Sequence, residues 1–144
     1  MPLNILKLRK TDNPVSTLDS LSDDTHAILA VPDNSIYNPH TTRGLLLTAY
    51  RKKIPIFGYS RSFVNNGALA GLYSSRTLSA KDIAKWCSEI LDKNDIVLPL
   101  PKFANSFKVT VNYQVARALG INIDSEQKIN DKLLSLESIK NKRT

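Results

Sequence analysis

Three short apolar runs, Ala27–Val31, Ile54–Phe57 and Ala68–Leu72, dominate the hydrophobic pattern in the first half of the chain. Each run ends in polar or turn-forming residues. The stretch Thr42–Lys52, between the first two runs, places its apolar residues on one side at helical spacing. Buried apolar runs that alternate with helices are typical of parallel sheets. The pattern therefore predicts an α/β fold, with a parallel or mixed sheet and helices on both of its faces.

The same periodicities predict the remaining elements. Ser79 and Asp82 resemble a capping box, which would open a helix running to about Leu91. Trp86 lies on the apolar stripe of that helix, so we expect it in the core. The other expected elements are a strand over Asn4–Arg9, a helix over Val15–Ser22, a helical turn over Ser62–Asn66, a strand over Phe107–Val111, a helix over Tyr113–Leu119 and a charged amphipathic helix over Ser125–Lys140.

The length and the charge pattern predict how the chain is divided. A chain of 144 residues is long enough for one domain with its own core. The last segment is amphipathic and highly charged, unlike the apolar runs that precede it. We therefore expect an α/β domain over residues 1–122, followed by a charged helix or tail over residues 123–144.

Polar side chains follow each of the three apolar runs at the point where the predicted strand ends. In parallel sheets, ligands bind in the crevice beyond the carboxyl ends of the strands. The sequence therefore predicts a small-molecule site at this edge of the sheet. The predicted ligand-binding residues are Asp33, Asn34, Ser35, Tyr59, Ser60, Arg61, Tyr73 and Ser74.

These residues also have ordinary structural interpretations. Asp33 can cap the backbone of its own turn, because aspartate favours such turns. Tyr59 and Tyr73 can stack on a ligand ring or simply pack against the domain. Arg61 can pair with a carboxylate or remain an exposed surface cation. The sequence leaves these alternatives open.

No catalytic or metal-binding constellation is evident in the sequence. It contains no glycine-flanked serine elbow, no phosphate-binding glycine loop and no histidine beside a serine or cysteine. Cys87 is the one cysteine, which excludes an internal disulfide, and we expect a buried structural thiol. His26 and His40 lack ligand-like spacing and are interpreted as structural. We therefore expect a protein without catalytic activity, metal or cofactor.

The charge of +7 raises the question of nucleic-acid binding. The basic residues are spread along the chain, and the densest clusters are Arg51–Lys53 and Lys140–Arg143. We expect a solvated basic surface rather than a nucleic-acid site. No apolar run reaches the roughly 20 residues of a membrane span, and the N-terminal apolar patch is too short for a signal peptide. If Met1 is the true start, the expected location is the cytoplasm.

Three stretches are similar to motifs of one bacterial family. Residues 24–34, DTHAILAVPDN, resemble its D-A-[IL]-x-V-P-x-D-N stretch. Residues 53–58, KIPIFG, followed by GALA at 67–70, resemble its K-I-P-[VI]-[FY]-G … G-A-[LV]-A stretch. Residues 111–120, VNYQVARALG, resemble its closing [IV]-N-x-x-x-A-[KR]-x-L-G. The family is the ABC-transporter substrate-binding proteins of the tryptophan/tyrosine-binding type, and the motifs cover roughly residues 24–122.

The resemblance implies a periplasmic-binding-protein fold with two α/β lobes, of which this chain matches only the second half. It implies an exported or lipid-anchored protein that delivers a small ligand to an ABC permease. Asp33, Asn34 and the residues after Gly58 match positions that line the cleft. Family members often have an aspartate in the G-I-D-Y stretch after the third run, where this chain has Leu72–Ser75 without a carboxylate.

We therefore expect a non-catalytic solute-binding component of an ABC-type uptake system, or a truncated portion of one. Its ligand would be small, aromatic or amino-acid-like. The first alternative is a stand-alone signalling or interaction domain that kept the fold, and the second is a basic nucleic-acid-binding α/β domain. Elements that lack their family neighbours would leave an unpaired strand edge and an apolar stripe exposed, so we also expect a homo-oligomer.

Overall fold

The computed structural model describes residues 3–9, 11–22, 24–92 and 106–141, with side chains to residue 136. Helices and strands alternate along most of this part of the chain. They are α1 (Pro14–Asp19), β1 (Ile28–Leu29), α2 (Thr42–Arg51), β2 (Ile56–Gly58), α3 (Arg61–Asn65), β3 (Ala70–Tyr73), α4 (Arg76–Leu91), β4 (Lys108–Val111), α5 (Tyr113–Ala118) and α6 (Glu126–Asn141).

The four strands form one sheet in the order β1-β2-β3-β4. β2 is parallel to both of its neighbours: Leu29 pairs with Phe57, and Phe57 pairs with Ala70. β4 is antiparallel to β3, because Asn112 N donates to Leu69 O near one end, whereas Ser74 Oγ donates to Ser106 O near the other. The predicted α/β class is confirmed, and the sheet is mixed.

The chain divides into two compact units. Unit 1 contains Met1–Gly71 and Val111–Ile123, and unit 2 contains Leu72–Thr110 and Asp124–Thr144. The chain therefore passes from one unit to the other within β3 and again within β4. The division at residues 122 and 123 that the sequence suggested stays a prediction.

The core of unit 1 lies between the sheet and the helices α1, α2 and α3. Asn13 starts α1, since its Oδ1 accepts hydrogen bonds from Val15 N at 2.9 Å and Ser16 N at 3.3 Å. Of the apolar stripe predicted for α2, Leu45, Leu46 and Ala49 are buried, whereas Tyr50 is exposed. The buried cluster comprises Leu18, Ala30, Leu45, Leu46, Ala49, Ile56, Phe63, Val64 and Ala68.

Two glycines let α3 lie close to the sheet. A Cβ on Gly58 would clash with the Phe63 ring. A Cβ on Gly71 would lie 2.8 Å from Val64 Cγ2, closer than real Cβ contacts allow. Both glycines are in strands, so the missing side chains bring the aromatic and aliphatic residues of α3 directly onto the backbone of β2 and β3.

The predicted strand over Asn4–Arg9 is wrong. Residues 3–9 have no regular secondary structure, and Ile5 is 80% exposed. Arg9 N donates instead to Asp12 Oδ2 at 2.8 Å, closing a local turn. A strand without a neighbouring strand gains no inter-strand hydrogen bonds, so apolar patterning alone does not make these residues extended.

The start of α4 differs from the sequence prediction, because the N-cap is Ser75 and not Ser79. Ser75 Oγ accepts from Leu78 N at 3.3 Å. Asp82, expected to complete the capping box, instead accepts hydrogen bonds from Ser106 N at 3.2 Å and Ser106 Oγ at 2.9 Å. β3 ends two residues before Ser75, so the helix begins one turn earlier than its apolar stripe suggested.

The expected burial of the α4 stripe is also wrong. Trp86 is only half-buried, Ile83 is 57% exposed and Cys87 is exposed. Helical periodicity identifies the apolar face of a helix, but it carries no information on whether another element covers that face. His26 and His40 are exposed as well, so neither is a core histidine.

No helix in the described part of the chain is both long and apolar enough to cross a membrane.

Candidate functional site

The turn after β1 is organised by the carboxylate of Asp33. Its Oδ1 accepts hydrogen bonds from Ser35 N at 2.8 Å and Ser35 Oγ at 2.6 Å. Its backbone oxygen accepts from Tyr37 N at 2.8 Å. The hydrogen bonds from Ser35 hold the pKa of Asp33 below its usual value, so this exposed carboxyl is ionised at neutral pH. A backbone hydrogen bond from Ile36 contributes to the lowered pKa as well.

The end of β2 carries a cluster of three aromatic rings. The ring of Tyr59 lies 5.3 Å from that of Phe63 and 6.0 Å from that of Tyr37, the latter in an edge-to-face arrangement. Tyr37 also meets Phe63 edge-to-face at 5.2 Å. Such pairs are stabilising beyond their buried area. The cluster fixes the two tyrosine rings against the core of unit 1.

The carboxyl ends of β1 and β2 lie side by side, because these strands are parallel and in register. Burial, followed by the electrostatic influence of Tyr59 and Asp33, raises the pKa of Tyr37. Asp33 and both tyrosines share one neighbourhood, because Tyr37 N donates to the Asp33 backbone oxygen and the Tyr37 ring contacts that of Tyr59. This neighbourhood combines aromatic rings with an ionised acceptor, which suits a ligand that has a flat apolar ring and a donor or cationic group.

Ser60 and Arg61 begin α3. Ser60 Oγ accepts from Phe63 N at 3.1 Å, so this serine is the N-cap of the helix. Arg61 is the first helical residue, is exposed, and makes no ion pair within the described ranges. Asn34 is also exposed, and its backbone oxygen accepts from Asn38 Nδ2 at 3.3 Å. The capping role considered for Asp33 is therefore present. Ser60 has a capping role that the sequence analysis did not consider.

Tyr73 and Ser74 lie in unit 2, where both side chains are engaged by the segment around β4. The Tyr73 hydroxyl and Thr110 Oγ1 are 2.9 Å apart and hydrogen bonded. Ser74 Oγ donates to Ser106 O at 2.7 Å. The role of these two residues in ligand binding stays a prediction.

Two aromatic residues of the cluster were missed by the sequence analysis. Phe63 lies in α3, whereas Tyr59 comes before the N-cap Ser60 of that helix, so helical periodicity does not relate the two rings. Tyr37 lies in the turn after Asp33, where no periodicity marks the direction of a side chain. Within the described residues, no group of histidine, cysteine, aspartate and glutamate could hold a metal ion.

Comparison with known proteins places the chain in a family. The family model "ABC transporter substrate binding protein" matches residues 2–132. A conserved domain protein from Vibrio cholerae O1 biovar eltor str. N16961 is similar in structure, with a TM-score of 0.55 and 25% identity. An ABC domain in complex with L-Trp from Streptococcus pneumonia has a TM-score of 0.56 and 22% identity. No curated protein matches the chain.

Each structural comparison covers most of this chain but only a small part of the solved chain. Each comparison covers 78% of this chain but only 38% of the solved chain. This chain therefore spans less than two-fifths of the length of the solved proteins it matches, in agreement with the expected incomplete fold. Since the family model covers well over half of the residues, the chain belongs to the ABC transporter substrate-binding protein family.

Proposed function

We propose that this chain is the solute-binding component, or a portion of it, of an ABC-type uptake system. Its ligand is a small aromatic or amino-acid-like molecule, bound at the carboxyl ends of β1 and β2. The observation that carries the proposal is the pair of packed rings, Tyr37 and Tyr59, beside the ionised carboxylate of Asp33.

The aromatic cluster supports a ring-shaped ligand. Packing against Phe63 fixes Tyr37 and Tyr59 before any ligand arrives. A pre-fixed ring loses little conformational entropy on binding. Small-molecule sites typically combine apolar and aromatic walls with a few oriented polar groups. The tyrosine rings supply such a wall, and their hydroxyl groups supply additional donors and acceptors.

Asp33 supports a ligand with a cationic or donor group. It is the one acidic residue among the eight predicted binding residues. Two hydrogen bonds from Ser35 to Oδ1 hold the carboxylate in place, and the residue is exposed, so it can also accept from a ligand. An ammonium group is a natural partner for such an acceptor. This role would replace the aspartate that family members often carry after the third strand and that Leu72–Ser75 lacks.

The ligand class also draws support from one structural neighbour. The Streptococcus pneumonia protein is described in complex with L-Trp. L-Trp combines an aromatic ring with an ammonium group, the two features that the tyrosine pair and Asp33 would recognise. The family membership supports a binding role rather than a catalytic one.

The wider setting follows from the family and is proposed with it. The protein would act outside the cytoplasm and pass its ligand to an ABC permease. The homo-oligomer expected from the sequence is a separate proposal.

Ligand-observed saturation-transfer NMR tests the proposal, since it detects weak binding. We expect transfer from the protein to the indole protons of L-Trp. Tyr59→Leu should remove most of the transfer, and Asp33→Asn should weaken it while keeping an acceptor for Ser35. Tyr50→Leu is the matched control, because Tyr50 is an exposed tyrosine of unit 1 on α2.

The variants distinguish binding at the proposed site from binding elsewhere. Loss of transfer in Tyr59→Leu with retention in Tyr50→Leu supports the site. No transfer from the unaltered protein to L-Trp, L-Tyr or L-Phe would overturn the proposal. Equal transfer in all the variants would place binding elsewhere and also overturn it.

A further inference from the structure

The turn between α3 and β3 is closed by two nested backbone hydrogen bonds. Gly67 N donates to Val64 O at 3.1 Å, and Ala68 N donates to Phe63 O at 3.2 Å. Together they form a Schellman motif, a common way for a helix to end at a glycine. Gly67 has a φ of 123°, a conformation that residues with a Cβ rarely adopt. The turn therefore holds the peptide group between residues 66 and 67 in one orientation.

Asn66, the residue before this glycine, has a side chain that can react with the backbone. Asn66-Gly67 is the one Asn-Gly pair in the sequence. In such a pair the glycine nitrogen attacks the side-chain amide carbon with little hindrance, because glycine has no Cβ. The new bond from Gly67 N to Asn66 Cγ closes a succinimide ring, and the side-chain nitrogen leaves as ammonia with the proton that Gly67 N loses. Water then opens the ring to an aspartyl or an isoaspartyl residue.

The observed conformation opposes this attack. Asn66 has a φ of −84° and a ψ of −2°, so its backbone continues the right-handed path of α3. To bring Gly67 N to the side-chain carbon, the bond between Cα and C of Asn66 must rotate. This rotation turns the Gly67 N–H away from Val64 O and breaks the turn. Local opening of this kind has its own free energy, which slows any reaction that requires it.

A second donor holds the same carbonyl oxygen. Asn112 Nδ2 donates to Val64 O at 3.0 Å, so this oxygen accepts from both Asn112 and Gly67. The backbone N–H of Asn112 donates to Leu69 O at 2.8 Å. Asn112 is therefore bonded to the chain before Gly67 and to the chain after it. All of these residues lie in unit 1.

We propose that this turn protects Asn66 from deamidation, and that Asn112 is a positioning residue for the protection. Asn66 is then a latent modification site, which reacts only when the end of α3 opens. An isoaspartyl residue would lengthen the backbone by one carbon directly before Ala68 and Leu69, which are both buried. Leu69 N donates to Ile56 O at 2.8 Å, so the extra atom would disturb the pairing of β3 with β2.

Peptide mapping by mass spectrometry tests the protection. It measures the conversion of Asn66 to aspartyl and isoaspartyl residues while the full chain is incubated at mildly alkaline pH. The same chain denatured in guanidinium chloride gives the rate without the turn. We expect the folded chain to react more slowly by about tenfold or more. Equal rates in the folded and denatured chains would overturn the proposal.

Two variants test the role of Asn112 in the folded chain. Asn112→Ala removes the second donor to Val64 O and should raise the conversion rate of Asn66 by about fivefold, the effect of losing one ordinary hydrogen bond. Asn112→Asp keeps an oxygen that can cap α5 but lacks the amide donor, so it should accelerate the reaction at least as much. This second variant separates the bond to Val64 from the cap, and circular dichroism reports whether each variant is folded.

Asn13→Ala is the matched control, because it also removes an asparagine that caps a helix of unit 1, in this case α1. It should change the conversion rate by less than about twofold. Equal acceleration by Asn13→Ala and Asn112→Ala would show that a general loss of stability controls the reaction, and would overturn the role of Asn112. An unchanged rate in Asn112→Asp would overturn it as well. The proposal does not depend on solute binding, because neither Asn66 nor Asn112 belongs to the proposed site.

Discussion

The side-chain amide of Asn112 donates a hydrogen bond of 3.0 Å to the carbonyl oxygen of Val64, 48 residues earlier in the chain. The same side chain caps α5 by accepting from Val115 N at 3.1 Å. Asn112 N donates to Leu69 O at 2.8 Å. One residue thus joins the returning C-terminal segment of unit 1 to both α3 and the residue before β3. This explains why an asparagine is suited to the start of α5, where several capping residues would otherwise serve.

The first prediction concerns the stability of unit 1. Asn112→Ala removes the cap and the hydrogen bond to Val64, each of which contributes about 1 kcal/mol. We expect the free energy of unfolding to fall by about 2 kcal/mol in denaturant titrations. Asn65→Ala, at an exposed position of α3, is the control and should change it by less than about 0.5 kcal/mol. An equal effect of the two substitutions would contradict the role of Asn112.

The second prediction concerns the close approach of β3 to α3. A Cβ on Gly71 would lie 2.8 Å from Val64 Cγ2 and 3.3 Å from the backbone oxygens of Gly58 and Ser60. Gly71→Ala should therefore cost about 1–3 kcal/mol, the usual range for overpacking. The Val64→Ala background removes the contact with Val64 Cγ2 but not the contacts with the two backbone oxygens. The Gly71→Ala cost measured there by thermal or denaturant unfolding should be smaller, whereas additive costs would show that the contact with Val64 is not responsible.

The third prediction concerns pH and the start of α6. Hydrogen bonds from Lys128 and Lys132 lower the pKa of Asp124 from 3.8 to about 2. The folded state therefore binds fewer protons than the unfolded state between these values. The contribution of Asp124 to stability is present above pH 3.8 and is lost as the pH falls towards about 2.

A carboxyl-carbon NMR titration of Asp124 tests this directly. The lysine ammonium groups lie 2.8 Å from the two carboxylate oxygens and are themselves largely exposed, so added salt should move the pKa back towards its ordinary value. Lys128→Gln together with Lys132→Gln should do the same at low salt. A midpoint near 3.8 in the unaltered protein would show that these ion pairs do not persist in solution.

Much of the fold was predictable because its elements are strongly periodic. The helix Thr42–Lys52 expected from the sequence is α2, Thr42–Arg51, and the apolar runs are close to β1, β2 and β3. The failures share one physical cause. A period identifies the apolar side of Trp86 or Ile5, but burial requires a neighbouring element, and the sequence of one segment does not encode it. The choice of Ser75 over Ser79 as the N-cap depends likewise on where β3 ends.

The sequence predicted in which region of the fold the candidate site residues lie, but not which side chains contact each other. Parallel strands bring their carboxyl ends together, and this placed Asp33 and Tyr59 in the same region without any coordinates. The contribution of Tyr37 depends on the path of a turn held by hydrogen bonds to Asp33. Hydrophobic periodicity does not predict the hydrogen bonds that set the conformation of such a turn.

The affinity expected of this chain is low. A two-lobed site encloses its ligand on both sides, and this chain spans 38% of the solved chains that it matches. Burial of the ligand on one side leaves much of its surface in water. L-Trp at micromolar concentration should therefore give no thermal shift, and a micromolar dissociation constant by calorimetry would contradict this expectation.

The most direct test of the proposed solute-binding site is a titration of the 15N-labelled protein with L-Trp, followed by amide chemical shifts. The account predicts saturable shift changes at residues 33–37 and 58–61, with little change on α6 in unit 2. Indole without an ammonium group should perturb the amides near Tyr59 and leave those near Asp33 almost unchanged. Shift changes confined to other parts of the chain, or none at millimolar L-Trp, would contradict the account.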